Sequence, residues 1–378
     1  MSEKMTRIAL VGGGSGGHVF PALAVAHELR QAREGVTTCL GIGRKPIEME
    51  WALEREELAD LFPVRLHAAP APYGCNPFGW AKAAIAAGLG TAEAWMWWTG
   101  WQPTAALMFG GYVSVPAAIA ARARKIPYLF HSADALPDRS ARTLAEKAAL
   151  VTVNYAEAAD KYGTGVRVEV TGQPVRPWLL GGDRKEAAKS LGLDAAKRTV
   201  LVVGGSQGAR SVNRAAIEAA KTLLADEGTQ MLHLCGMKDY EELVDRADEE
   251  GLPVERYRVL AFLREVEWAL ALADVAVTRA GANGMAELAA AGVAMIVVPY
   301  PHAGGHQRLN ALPLKEAGGG VIVEDEDLSG ERLADEVGRL LADDGARRSM
   351  GEAARRWVKP DAARRVAELV LQVADESA

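Results

Sequence analysis

Glycine clusters follow apolar runs at four places in this chain, and their residue types suit anion binding. They lie at residues 12–17, 110–111, 204–208 and 281–284. A glycine-rich loop between a strand and a helix exposes backbone N–H groups at the positive end of the helix dipole, where a phosphate or diphosphate can bind. Four such loops are more than a fold needs, so they predict a site that handles more than one phosphorylated group.

The first cluster also fits a nucleotide-cofactor motif. Gly12, Gly14 and Gly17 match G-x-G-x-x-G, but Arg44 and Lys45 stand where an NAD enzyme has an acidic residue for the ribose. This pair favours NADP over NAD, although nothing else in the sequence resembles a hydride-transfer site. The cluster at 204–208 has no Walker lysine, which excludes an ATPase. A tight structural turn without a ligand is the other interpretation of the first loop.

A carboxylate follows the last glycine cluster. Glu287 lies in a predicted helix that begins at Ala282. At this spacing the carboxylate can accept hydrogen bonds from a ribose diol while the helix start binds a diphosphate. The alternative is a glutamate that faces solvent, which its apolar neighbours make less favourable.

Neutral hydrogen-bonding side chains cluster after the next predicted strand and suit sugar hydroxyls; they are His302, His306, Gln307 and Asn310. Two histidines four residues apart can also bind a metal ion, but no third ligand accompanies them. The acidic run Glu324–Asp327 is interpreted as a solvated loop. The sequence therefore predicts no metal site.

The elements around these loops alternate short apolar runs with amphipathic stretches, as repeated βα units and parallel sheets do. Helices are predicted at Val19–Arg30, Ala209–Leu224 and Ala282–Ala291. Strands are predicted at Arg7–Val11, Thr37–Ile42, Ala105–Phe109, Tyr128–Phe130, Leu150–Val153, Arg167–Thr171, Thr199–Val203, Gln230–Leu234, Arg258–Leu260, Asp274–Thr278, Met295–Val298 and Gly320–Val323.

A stretch rich in Pro and Gly, at residues 171–184, separates two halves that both open with a strand, a glycine loop and a helix. The predicted fold class is α/β, with two Rossmann-like domains that face each other across a cleft. We place these domains at residues 1–175 and 176–360, followed by a C-terminal helix and tail at 361–378.

Composition narrows the class of protein. The chain has 378 residues, of which 49% are hydrophobic and 24% charged, as in soluble globular proteins. A net charge of −6 argues against a nucleic-acid partner. Cys39, Cys75 and Cys235 are far apart, which favours a reducing cytoplasm over a disulfide framework. The sequence shows neither a signal peptide nor an uninterrupted apolar run long enough to span a membrane.

One segment is rich in tryptophan. Five of the nine tryptophans lie between Phe78 and Trp101, namely Trp80, Trp95, Trp97, Trp98 and Trp101. Tryptophan favours the membrane interface, and the basic residues at 122–125 follow. A buried core helix is the alternative. We predict a peripheral anchor that docks on a membrane surface.

Six blocks of sequence together resemble the MurG family within glycosyltransferase family 28. They are VGGGSGGHVFPALAVA, FGGYVSVPAAIAA, TGQPVR, VVGGSQGARSVN, RAGANGMAELAAAG and HQRLNALPL, in that order along nearly the whole chain. The resemblance implies a GT-B fold and an inverting transfer of GlcNAc from UDP-GlcNAc to lipid I, which gives lipid II for peptidoglycan. It implies no cofactor, no obligatory metal-binding DxD motif, and a location at the cytoplasmic face of the plasma membrane.

The resemblance also implies roles for individual residues. In the second domain Glu287 would bind the ribose diol, the backbone of Leu263 would read the uracil, and His306 and Gln307 would contact the GlcNAc hydroxyls. The donor diphosphate would be bound by Arg176, Ser206 and a helix start made of Ala282, Asn283, Gly284, Met285 and Ala286. In the first domain the acceptor diphosphate and sugar would face Ser15, Gly16, Gly17, His18 and Tyr112.

One block departs from the family. His131-Ser132-Ala133-Asp134 stands where the family usually has His-Glu-Gln-Asn. An inverting transfer needs a base, and both His18 and Asp134 are candidates, the former because its ordinary pKa near 6.5 suits the task. His18 could instead be a structural residue of its loop. The departure leaves two alternatives open: another glycolipid acceptor, or a catalytically weakened paralogue that binds nucleotide sugar.

Overall fold

The computed structural model describes residues 5–45, 48–49, 52, 61–66, 77–205, 208–302 and 305–377. They form two compact units. One unit comprises the residues up to Arg176 together with those from Lys359 onward, and the other comprises Pro177–Val358. Each unit is a parallel sheet accompanied by helices, which confirms the predicted α/β class with two Rossmann-like domains.

The N-terminal unit contains a seven-stranded sheet in the order β3-β2-β1-β4-β5-β6-β7. Its strands are β1 (Arg7–Val11), β2 (Thr37–Ile42), β3 (Phe62–Arg65), β4 (Ala105–Met108), β5 (Tyr128–Ser132), β6 (Leu150–Val153) and β7 (Val168–Val170). Its helices are α1 (Gly16–Ala32), α2 (Pro77–Trp101), α3 (Ser114–Ala123), α4 (Arg139–Ala145), α5 (Ala156–Ala159) and α14 (Ala362–Glu376). The strand order reverses between β1 and β4, which places the loops after these two strands side by side, where α/β sheets bind ligands.

The C-terminal unit contains a six-stranded sheet in the order β10-β9-β8-β11-β12-β13. Its strands are β8 (Arg198–Val203), β9 (Thr229–Leu234), β10 (Tyr257–Leu260), β11 (Ala273–Arg279), β12 (Ala294–Val298) and β13 (Gly320–Ile322). Its helices are α6 (Arg184–Leu191), α7 (Arg210–Leu223), α8 (Tyr240–Glu249), α9 (Val266–Leu272), α10 (Ala282–Ala291), α11 (His306–Glu316), α12 (Gly330–Ala342) and α13 (Asp344–Trp357), with 3-10 turns at Pro177–Leu180 and Asp325–Asp327. Here the reversal falls between β8 and β11, so the third and fourth glycine loops are neighbours.

The edge strand β3 is the strand that sequence patterning does not predict. It pairs with β2 alone and contains Pro63. Proline cannot donate a hydrogen bond to a neighbouring strand and is therefore confined to edge strands. An edge strand also lacks the continuous apolar run by which buried strands are predicted.

The last helix, α14, belongs to the N-terminal unit. It packs against α1 and buries an apolar face that includes Val366 and Val370. An exposed ion pair joins Arg33 after α1 to Asp375 at 2.7 Å, and Arg365 contacts Glu169 in β7 at 2.7 Å. The chain thus returns to its first unit after completing the second.

Candidate active site

The first glycine loop joins β1 to α1. Ser15 is the N-cap residue, yet its side chain does not cap the helix, and its Oγ lies 3.2 Å from Nδ1 of His18. Backbone N–H groups in the first turn of a helix have no partner within it. Those of Gly16 and Gly17 can therefore bind an anion at the positive end of the dipole. A side chain at Gly16 would not fit, because its Cβ would lie 2.7 Å from the ring of Phe20.

His18 is oriented by the loop that precedes it. Its Nδ1 lies 2.9 Å from the carbonyl oxygen of Gly13. Because a carbonyl oxygen only accepts hydrogen bonds, Nδ1 carries the proton and the lone pair of the neutral ring is on Nε2. Burial lowers the pKa of His18 below 6.5, opposed by the Gly13 carbonyl and the charge of Asp134. A neutral imidazole of this tautomer can accept a proton at Nε2.

The loop after β4 packs against the first glycine loop. Gly111 has a φ of +73°, and a Cβ there would lie 2.1 Å from the carbonyl oxygen of Gly13, so this approach requires glycine. Nε2 of His18 lies beside Gly110, 3.4 Å from where a Cβ would be. Tyr112 follows with 40% of its surface exposed. The structure thus brings the two loops that carry the predicted acceptor residues together.

In the block His131–Asp134, which departs from the family, His131 is a buried structural residue, whereas Asp134 is partly accessible. His131 is 1% exposed, with Nδ1 3.0 Å from Thr152 Oγ1 and Nε2 3.2 Å from Gln173 Oε1. Burial lowers the pKa of His131 to about 4, so it is a neutral core residue. Asp134 is half-buried, and after burial itself it is the next cause that raises the pKa of Tyr155. The Asp134 carboxylate therefore acts electrostatically on both Tyr155 and His18.

Arg176 is buried in the N-terminal unit. Its side chain is 1% exposed, and its guanidinium carbon lies 3.9 Å from the centre of the Phe20 ring, a cation–π contact. Phe20 lies on α1, just beyond His18, so Arg176 supports the first turn of that helix. Its contact with a donor phosphate stays a prediction.

In the C-terminal unit, helix α10 begins directly after the fourth glycine loop. Its N-cap is Gly281, which offers no side chain, so the N–H groups of Ala282, Asn283 and Gly284 are available to an anion. Glu287 lies one turn further along and is 7% exposed. Its Oε1 accepts a hydrogen bond of 3.2 Å from Nδ2 of Asn283. Met285 and Ala286, between them, are buried. The residues that are predicted to bind the diphosphate and the ribose thus lie together at one end of α10.

Arg279, at the end of β11, joins the ends of neighbouring strands. Nη1 lies 2.5 Å from Asp325 Oδ1, Nη2 donates to Ser211 Oγ at 2.7 Å, and Ser211 donates to Asp325 at 2.7 Å. Glu324 also pairs, with Arg308 at 2.8 Å. The interpretation of the acidic run as a solvated loop was therefore wrong for Asp325, whereas the Glu324 pair lies at the surface. This network fixes the start of α7 relative to the loop before α10.

The predicted sugar-binding residues differ in accessibility. His306 and Gln307 open α11 and are half-buried, and Gln307 Oε1 accepts from the backbone N–H of Tyr300 at 3.0 Å. Asn310, in contrast, is fully buried and donates to the Ala280 carbonyl at 3.2 Å. The sequence-based role of Asn310 at sugar hydroxyls was wrong, because its amide is used to hold the fourth glycine loop.

Two further donor-site predictions concern Leu263 and Ser206. The side chain of Leu263 is buried in the hydrophobic core of the unit, which anchors the backbone that was predicted to read uracil. Ser206 lies outside the described residues.

Asn213 on α7 is a supporting residue that sequence reasoning missed. It donates to the Cys235 carbonyl at 2.9 Å and to Asp239 at 2.8 Å, and His233 Nε2 lies 3.1 Å from its Oδ1. Gly208, with a φ of +74°, approaches the same Cys235 carbonyl, 2.4 Å from where its Cβ would be. Together they fix the third glycine loop against the end of β9. The block VVGGSQGARSVN contains both residues, but their partner is distant in sequence.

The tryptophans of α2 divide between core and surface. Trp98 is 0% exposed, and no described residue accepts a hydrogen bond from its indole N–H. Trp97 and Trp101 are half-buried and stack at 6.3 Å, whereas Trp95 is 42% exposed beneath Arg124. The prediction that Trp98 faces a membrane was wrong, because it packs into the unit. The side chain of Trp80 lies outside the described part.

The outer face of α2 carries several exposed apolar side chains, which are Ile85, Leu89, Trp95 and Met96. Within the described ranges, none of the helices combines the length and apolar character needed to cross a membrane. In the same part of the chain, no three or more His, Cys, Asp or Glu side chains are grouped so that they could hold a metal ion.

Family profiles match both units of the chain. The glycosyltransferase family 28 N-terminal domain matches residues 8–153, and the glycosyltransferase family 28 C-terminal domain matches residues 199–366.

Relatives cover nearly the full length. A protein of Halothermothrix orenii named UDP-N-acetylglucosamine--N-acetylmuramyl-(pentapeptide) pyrophosphoryl-undecaprenol N-acetylglucosamine transferase is 32% identical, covering 98% of this chain and 100% of that protein. A Clavibacter michiganensis protein of the same name is 38% identical, covering 97% and 96%. The crystal structure of Acinetobacter baumannii MurG matches with a TM-score of 0.68 and 26% identity, over 97% of this chain and 99% of that one. These matches confirm the GT-B architecture, and the chain belongs to glycosyltransferase family 28.

Proposed function

We propose that this enzyme transfers GlcNAc from UDP-GlcNAc to the MurNAc sugar of undecaprenyl-diphosphate-linked lipid I, which gives lipid II for peptidoglycan. The observation that carries the proposal is that each unit has an uncapped helix start after a glycine loop, at α1 and at α10. Both substrates of this reaction carry a diphosphate. The names of the full-length relatives support the same activity.

In the C-terminal unit, α10 would bind the donor. The N–H groups of its first turn would bind the diphosphate, and Glu287 would accept hydrogen bonds from the ribose diol. The backbone at Leu263 would read the uracil, while His306 and Gln307 would bind the GlcNAc hydroxyls. Ser206 would complete the proposed set of phosphate contacts in this unit. The negative charge that develops on UDP as it leaves would be stabilised by the dipole of α10.

In the N-terminal unit, the first turn of α1 would bind the acceptor diphosphate through Ser15, Gly16 and Gly17, with Tyr112 beside the sugar. The acceptor hydroxyl oxygen attacks C1 of GlcNAc while the bond from C1 to the UDP oxygen breaks, which inverts C1. Nε2 of His18 takes the hydroxyl proton, because its tautomer leaves that nitrogen free. Asp134 is the alternative base, and its charge already favours the protonated form of His18.

We further propose that α2 docks this enzyme on the cytoplasmic face of the plasma membrane. Its exposed side chains Ile85, Leu89, Trp95 and Met96 supply apolar surface, and Arg124 lies 5.1 Å from the centre of the Trp95 ring. Aromatic and basic groups together suit an anionic membrane interface. Trp98 is not part of this surface.

The test is transfer of radiolabelled GlcNAc from UDP-GlcNAc to a lipid I analogue, compared with other lipid-linked acceptors. Transfer to the lipid I analogue supports the proposal. Selective transfer to another glycolipid would show that the acceptor is that glycolipid and not lipid I. Tight UDP-GlcNAc binding without transfer to any acceptor would indicate a weakened paralogue, in line with Ser132-Ala133-Asp134 replacing the residues of the family.

A further inference from the structure

A buried carboxylate lies under the first glycine loop, and the mechanism above does not use it. Glu48 is 1% exposed, and its Oε2 accepts a hydrogen bond of 2.7 Å from the backbone N–H of Gly43, just after β2. A buried carboxylate is costly unless it is hydrogen-bonded. Replacing it with an apolar side chain would also leave the Gly43 N–H without this partner.

The same carboxylate touches a second loop. A Cβ at Gly13 would lie 2.7 Å from Oε2, and a Cβ at Gly43 would lie 2.7 Å from Oε1. The Glu48 carboxylate thus lies directly between the loop after β1 and the loop after β2. At Gly13 a Cβ would also lie 2.8 Å from the backbone nitrogen of Gly43, so glycine is required there, whereas a side chain at Gly43 would displace the Glu48 carboxylate.

Gly13 is the residue whose carbonyl orients the candidate base. Its oxygen lies 2.9 Å from Nδ1 of His18, and that contact fixes the tautomer with a free Nε2. A change in the Gly13 peptide plane would therefore alter which nitrogen of His18 carries the proton. The Glu48 carboxylate lies against Gly13, and Gly111 approaches the Gly13 carbonyl, where a Cβ would lie 2.1 Å from the oxygen.

We propose that Glu48 is a positioning residue: its carboxylate holds the loops of Gly43 and Gly13 together and so keeps the Gly13 carbonyl on Nδ1 of His18. The positioning is made by an acceptor oxygen of the right reach. The charge of Glu48 also raises the pKa of His18, after the Gly13 carbonyl, Asp134 and Asp138, so Glu48→Gln keeps the acceptor and removes only this charge. The effect on turnover rests on the proposed function, whereas the effect on the tautomer does not.

The experiment compares Glu48→Gln, Glu48→Asp and Glu48→Ala in the full chain. Glutamine keeps an acceptor oxygen at the same reach, aspartate is one methylene too short, and alanine removes the acceptor. We expect Glu48→Gln to keep kcat within about threefold, and the other two to lower kcat by about 10- to 100-fold with the donor KM unchanged, because base orientation is lost. Glu169→Ala, which removes an exposed ion-paired carboxylate of the same unit, is the control and should change neither.

The second readout is the ¹⁵N spectrum of the imidazoles, with His18 assigned by His18→Gln. Wild type and Glu48→Gln should show the Nδ1–H tautomer of His18, and Glu48→Ala should show a mixture. Melting curves separate these effects from loss of folding. Normal kcat together with an unchanged tautomer in folded Glu48→Ala would overturn the proposal, as would a Glu48→Gln variant that is as impaired as Glu48→Ala. If wild type transfers no GlcNAc, the proposed function fails and the tautomer alone decides the role of Glu48.

Discussion

Glu287→Ala should weaken the binding of UDP-GlcNAc far more than it weakens the binding of the acceptor. Glu287 is 7% exposed, so hydrogen bonds that it accepts are little weakened by solvent. An ionised carboxylate has about four acceptor positions, so it can accept from Nδ2 of Asn283 at Oε1 and from both hydroxyls of the ribose diol. Each hydrogen bond to a charged group contributes about 1.5 kcal/mol, so the pair contributes about 3 kcal/mol. The donor Kd should therefore rise on the order of a hundredfold.

The assay is isothermal titration of wild type and Glu287→Ala with UDP and with 2′-deoxy-UDP. Wild type should bind 2′-deoxy-UDP about tenfold more weakly than UDP, because one hydrogen bond is lost. The variant should bind both ligands alike. Glu250→Ala, which removes an ion-paired surface carboxylate of the same unit, is the control. An unchanged Kd for UDP in folded Glu287→Ala, or a 2′-deoxy penalty that persists in it, would refute the role of Glu287.

Four other predictions concern the base, the buried Trp98 and the membrane surface. His18→Ala should lower kcat by about 10²- to 10⁴-fold with little change in donor affinity, measured by steady-state transfer; near-normal turnover would leave Asp134 as the base. Because burial lowers the pKa of His18, kcat should fall only when the pH drops through a value below 6.5. Asp134→Asn should move that fall to still lower pH, because it removes a charge that raises the pKa of His18. A large loss of kcat in Asp134→Asn would instead identify Asp134 as the base. Trp98→Ala should destabilise the protein by about 3–5 kcal/mol in denaturant unfolding. Changing Trp95 and Met96 together to Ser should release the protein from anionic vesicles with an unchanged melting temperature, and retained sedimentation with vesicles would contradict docking through α2.

Patterning predicts the sheets well where strands are buried on both faces. β1, β2 and β6 have the predicted bounds because central parallel strands read as continuous apolar runs that end at polar residues or glycines. β3 was missed because an edge strand with Pro63 lacks that run. The glycine loops were found for the same reason as the strands, since each loop directly follows an apolar run.

The supporting contacts of the site could not be predicted in the same way. Arg279 and Asp325 lie at the ends of different strands, and only the order of the sheet brings them together. Asn310 carries the amide that a sugar site would use, yet the fold turns it toward Ala280. Residue type and spacing thus indicate which chemistry is available, whereas three-dimensional packing decides which side chains remain accessible for it.

The return of the chain to its first unit has a consequence for synthesis. During translation β1 leaves the ribosome long before α14, and α14 covers α1 with an apolar face that includes Val366 and Val370. The N-terminal unit therefore cannot complete its core until α14 has left the exit tunnel, whereas the C-terminal unit ends at Val358, before α14. Folding in the cell should accordingly finish in reverse order, with the unit that begins first completed last, and a fragment ending at Arg176 should expose an apolar groove along α1 and require a chaperone.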